Sequence, residues 1–107
     1  MRRGSDAGSR PGAIGAGTTI VITGAASGIG RLVALGAARK GAHVVIWDRD
    51  ARAARSVSDA VHAAGGRGTV VVVDLADADA IELAAAETLM LGSVDVLINN
   101  AGVVSGR

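Results

Sequence analysis

The sequence has no cysteine, no tyrosine and no phenylalanine, and only one tryptophan, one proline and one lysine. Each absence closes a route. Without cysteine there is no disulfide, no thiolate zinc site and no cysteine nucleophile. The same composition fits a reducing compartment, so a cytoplasmic location is expected. With Trp47 the sole aromatic side chain, bases have no stacking platform. The net charge of +1 supplies no basic stripe, so nucleic acid is not an expected partner. No stretch approaches the roughly 18 apolar residues of a membrane span. Residues 1–10 carry charge and glycine rather than the apolar segment of a signal peptide. Finally, the chain offers no phenol for acid–base chemistry, and its one ammonium side chain is Lys40.

What is present is a chain of 107 residues, 50% hydrophobic, which suffices for one small domain with a packed core. That core must be made almost wholly of Ala, Val, Leu and Ile. Residues 1–17, with Arg, Gly, Ser and Pro11, read as a flexible leader. From position 18 onward a regular alternation sets in. Short β-branched runs at 18–23, 43–47, 69–73 and 94–98 read as buried strands. Between them lie three helical patterns. The first starts at Gly28, carries Ile29, Leu32, Val33 and Ala37 at helical spacing, and stops at Gly41. The second carries Ala54, Val57, Val61 and Ala64, with Asp50 as its cap and Gly65-Gly66 as its end. The third opens on Asp79-Ala80-Ile81-Glu82, which has the form of a capping box, and ends at Gly92. The order β-α-β-α-β-α-β, with strands apolar on both faces, implies an α/β fold: a doubly wound, Rossmann-like parallel sheet with right-handed crossovers.

Such a sheet binds its ligand at the carboxyl ends of the strands. The conspicuous residues all fall there. After the first strand comes Thr23-Gly24-Ala25-Ala26-Ser27-Gly28-Ile29-Gly30. Glycines at this spacing let the backbone approach a pyrophosphate, and the helix start at Gly28 presents free N–H groups and a positive dipole end to it. Ser27 can cap that helix or donate to a phosphate. Asp48 follows Gly30 by 18 positions at the end of the second strand, where an acid accepts hydrogen bonds from the adenosine ribose. A 2′-phosphate would meet like charge there, so NAD is expected over NADP. Arg49 is the one neighbour that could offset this. Asp74 follows the third strand, and Asn99-Asn100-Ala101-Gly102 the fourth. His43 and His62 fall on different elements without organised carboxylates, so no metal site is expected.

The glycine turn together with Asn99-Asn100-Ala101-Gly102 resembles the short-chain dehydrogenase/reductase family in its classical form, over residues 18–107. Trp47-Asp48 and the closing residues look most like its retinol and 17β-hydroxysteroid dehydrogenase branch. The resemblance implies hydride transfer between a nicotinamide cofactor and an alcohol or carbonyl substrate. It implies that Asp74 and the N–H of Leu75 hold the adenine. It further implies that the Asn100 turn tethers neighbouring strands and lays Ala101 and Gly102 beside the ribose. The family's chemistry uses a Tyr-x-x-x-Lys pair, whose ammonium makes a phenol of pKa near 10 usable at neutral pH. No tyrosine is present. The chain is therefore expected to be a cofactor-binding fragment without turnover, with no fifth strand beside the fourth and an apolar sheet edge prone to self-association. The alternative is a non-catalytic nucleotide-binding module or pseudoenzyme.

Overall fold

A computed structural model describes residues 13–26 and 28–100. Seven elements follow in order: β1 (Thr19–Thr23), α1 (Gly28–Arg39), β2 (His43–Asp48), α2 (Ala51–Ala63), β3 (Arg67–Val72), α3 (Ala78–Leu89) and β4 (Val96–Asn99). The strands form one parallel sheet in the order β3-β2-β1-β4. The order reverses beside β1, which creates the switch point expected of a doubly wound sheet.

Strand alternation splits the core in two. Ile20, Ile22, Val44 and Ile46 face α1 and α2, where Ala34, Ala37, Ala38, Ala54, Val57 and Val61 complete one cluster. Val21, Val45, Val71 and Val73 face the other way, toward Ala84 of α3, with Trp47, Ile81 and Val94 around them. Small residues on α1 let it lie close to the strands. Its buried stripe is Gly30, Ala34, Ala37 and Ala38. Ile29 and Leu32, expected on the inward side by spacing, are instead 70% and 69% exposed. On the helical wheel Leu32 falls nearly opposite the centre of that stripe and Ile29 well to one side of it.

The structure departs from the sequence expectation at three elements. The third helix is capped by Asp77, whose carboxylate accepts from the N–H groups of Asp79 and Ala80, so Asp79 sits in the first turn. β3 begins at Arg67 rather than 69, because pairing with β2 starts at His43 opposite Arg67. Gly68 lies inside the strand: a Cβ there would come within 2.5 Å of Ser58 Oγ and 3.1 Å of Ser58 Cα on α2. This glycine marks close packing and not a loop. β4 is an edge of the described sheet and is not buried on both faces, since Leu97 is 65% exposed. At the other end of the chain, Ile14 already packs on the α1–α2 cluster, and Thr18 N–H donates to Gly15 O at 3.0 Å.

At the amino end of the sheet, away from the strand tips, His43 is only 6% exposed. Its Nε2 lies 2.7 Å from Thr69 Oγ1, and its Nδ1 lies 3.2 Å from Arg67 Nη2. A guanidinium only donates, so Nδ1 accepts, and the proton of the neutral ring sits on Nε2. Burial first, then the Arg67 charge, then His62, hold the His43 pKa below its ordinary 6.5. The unfolded chain therefore binds the proton more readily than the folded one. Stability is fully present above pH 6.5 and is lost as pH falls below it, until the folded-state pKa is passed. Urea melts between pH 7.5 and 5 should show the fall, and His43→Gln should flatten it.

Candidate cofactor-binding site

Gly24 and Gly28 adopt φ of +69° and +60°, which side chains with a Cβ rarely take. The turn between them carries the chain from the tip of β1 into α1, whose first turn contains no acidic residue to compete with an anion. Ser27 lies outside the described residues. Gly30 serves differently. It is buried, and an added Cβ would sit 2.8 Å from Asn100 Nδ2, 2.8 Å from Gly24 O and 3.0 Å from Ala25 Cα. Those first two atoms are themselves a hydrogen bond, Asn100 Nδ2 donating to Gly24 O at 3.0 Å. Beside it, Thr23 Oγ1 donates to Asn99 Oδ1 at 2.8 Å. The two asparagines therefore stitch the end of β4 to the glycine turn. Neither amide is buried, yet both have partners.

Next to this turn, the tips of β1, β2 and β3 enclose a cleft of about 230 Å³ lined by Gly24, Asp48, Arg49, Asp74 and Leu75, together with Trp47 and Val73. Five of the residues singled out in the sequence thus meet in one place, although up to 51 positions separate them (75 − 24). Gly28, Ile29 and Gly30 do not line the cleft; they stand at the start of the adjoining helix. Ala101 and Gly102 lie outside the described residues.

Backbone and side-chain bonds fix the acids. Asp48 Oδ1 accepts from Asp50 N–H at 3.0 Å. Its carbonyl accepts from Val73 N–H at 3.1 Å, tying the ends of β2 and β3 together. Asp50 is the α2 cap, its Oδ1 accepting from Ala53 N–H at 3.0 Å. Asp74 Oδ1 accepts from Ala76 N–H at 2.9 Å. Asp48 and Asp74 each commit one carboxylate oxygen to a turn, and a carboxylate has a second for a ligand.

Sequence reasoning missed Thr88. Trp47 Nε1–H donates to Thr88 Oγ1 at 2.9 Å, and Thr88 in turn donates to Ala84 O at 2.8 Å. Nothing in the local pattern of α3 marks this threonine, because its partner lies 41 positions away. Among the described residues, no three His, Asp or Glu side chains are grouped to hold a metal ion, and no helix is long and apolar enough to cross a membrane.

A parallel βαβ sheet with a glycine turn, an acid ending its second strand and a cleft at the carboxyl tips of β1, β2 and β3 is a doubly wound, Rossmann-like architecture. The model of the short chain dehydrogenase family matches residues 18–107. The chain belongs to that family. It is 46% identical over 90 residues to the L-rhamnose 1-dehydrogenase (NAD(P)(+)) of Azotobacter vinelandii, covering 79% of this chain and 35% of that protein. To the 3beta-hydroxysteroid dehydrogenase of Mediterraneibacter gnavus it is 42% identical over 86 residues, covering 79% and 31%. The crystal structure of a hydroxysteroid dehydrogenase from Escherichia coli superposes with a TM-score of 0.73 at 36% identity, covering 78% of this chain and 36% of that one. The chain thus spans about a third of the length of the relatives it matches.

Proposed function

We propose that these 107 residues bind the adenosine and pyrophosphate part of NAD for a dehydrogenase that moves hydride between the cofactor and an alcohol or carbonyl substrate. The observation that carries this is the cleft where Gly24, Asp48, Asp74 and Leu75 converge beside the start of α1. Asp48 takes the ribose hydroxyls, Asp74 and the Leu75 N–H take the adenine, and the turn from Gly24 through Ser27, Gly28, Ile29 and Gly30 takes the pyrophosphate. Asn100 holds that turn through its bond to Gly24 O, and Ala101 and Gly102 are assigned to the ribose. Asp48 favours NAD over NADP, with Arg49 the residue that narrows the margin. The related proteins named above act on a sugar and a steroid, so the substrate class stays at alcohols and their ketones. With no tyrosine among the 107 residues, no proton relay of the family's kind is available to this chain, and it is expected to bind without turnover. We place it in the cytoplasm. We also expect copies to associate along the β4 edge, where Leu97 is exposed.

Calorimetric titration of the whole chain with NAD and with NADP, followed by sedimentation of the same samples, tests this. Saturable NAD binding tighter than NADP binding is the expected result. Tighter NADP binding would remove the NAD assignment, and a strictly monomeric chain would remove the self-association.

A further inference from the structure

We propose that Trp47 is a positioning residue for cofactor discrimination: its indole, braced on Thr88 of α3, holds the Asp48 carboxylate where it reads the ribose. This builds on the adenine-nucleotide assignment of the cleft made above. Four bonds converge on the end of β2. Trp47 O accepts from Gly24 N–H at 2.9 Å, which fixes β2 to the glycine turn. Asp48 O accepts from Val73 N–H at 3.1 Å, which fixes it to the end of β3. Asp48 Oδ1 accepts from Asp50 N–H at 3.0 Å. The fourth is the indole N–H bond to Thr88 at 2.9 Å, the only one of the four that reaches the helix layer.

Thr88 is well made for the task. It is 3% exposed, and its hydroxyl hydrogen is already given to Ala84 O, so its oxygen faces the indole as an acceptor in a fixed direction. Trp47 lines the nucleotide cleft and also borders a second, apolar hollow of about 190 Å³ beside Ala85, Leu89 and Leu97. A large ring next to open space would have room to turn if its N–H were not held. Trp47 and Asp48 adjoin at the end of β2 and line the same cleft, so a ring free to turn would disturb the wall beside the Asp48 carboxylate.

Loss of the brace should therefore change which cofactor is preferred, and not only how stable the fold is. NAD and NADP affinities are compared calorimetrically for the parent chain, Thr88→Val, Thr88→Ser and Trp47→Phe. Thr88→Val should weaken NAD about fivefold, as expected for one hydrogen bond, while NADP affinity holds or rises, so that the ratio contracts. Thr88→Ser, which keeps the oxygen, should restore the ratio. Trp47→Phe keeps a ring but loses the N–H, and should match Thr88→Val. The double variant should add nothing further. Equal weakening of both cofactors, or a lowered melting temperature with an unchanged ratio, overturns the positioning role. A parent chain that binds neither nucleotide overturns the cleft assignment as well, so the two failures are told apart.

Discussion

Gly30→Ala is expected to destabilise the chain by about 2–4 kcal/mol and to abolish measurable nucleotide binding. The new methyl would be driven between Asn100 Nδ2 and Gly24 O, 2.8 Å from each, where a 3.0 Å hydrogen bond now closes the turn. Neither neighbour can yield cheaply, since one is backbone and the other is the amide that pairs with it. In a domain of this size each kcal/mol lowers the melting temperature by about 4–8 °C, so a drop on the order of 10 °C or more is the measurable result. Gly36, six residues further along α1, is the control. A Cβ there meets nothing within 4 Å. Gly36→Ala should therefore stabilise the helix by about 0.5–1 kcal/mol, with binding unchanged. Equal effects from the two substitutions would show that the Asn100 contact does not decide the outcome at Gly30.

Asp48→Ser should reverse cofactor preference. A unit charge pair at 4 Å and an effective dielectric near 20 is worth about 4 kcal/mol. Removing the carboxylate relieves that repulsion toward a 2′-phosphate and leaves Arg49 in the same cleft to attract it. NADP affinity should rise by at least about tenfold and NAD affinity should fall, because the ribose hydroxyls lose their anionic acceptor. Melting temperature should move little, since the Asp48 side chain makes one bond to a loop N–H. An unchanged NADP affinity would place the discrimination elsewhere.

Much of this was legible in the sequence because it is carried by local patterns. Four β-branched runs and three helical intervals determine the parallel sheet, and each strand tip brings a turn or acidic residue with it. Asp50 as a cap was readable for the same reason: cap and partner are three residues apart. What escaped was whatever depends on distant neighbours. The start of β3 is set by pairing with His43 across the sheet, which overrides the glycine and charge at Gly68 and Arg67. The inward stripe of α1 consists of small residues, so the larger Ile29 and Leu32 misdirected the reading of its face. Asp77 and Asp79 are both plausible caps by type, and only the backbone geometry chooses between them. The Trp47–Thr88 brace joins two elements with no shared motif.

The bonds that tie β1 to the β4 region also impose an order on folding during synthesis. Asp95 Oδ2 accepts from Thr19 N–H, Asn99 accepts from Thr23, and Asn100 donates to Gly24 O, each across 76 positions of chain. A nascent chain can therefore form β1, β2 and β3 with their helices while one flank of β1 is still bare and the Gly24 carbonyl lacks its amide partner. The Gly24 carbonyl therefore gains its amide partner only after the ribosome has delivered Asn100. Contacts of such long reach are slow to close. Until then β1 is exposed as a sticky edge in the growing polypeptide, and a pause in translation before Asp95 would prolong that exposure.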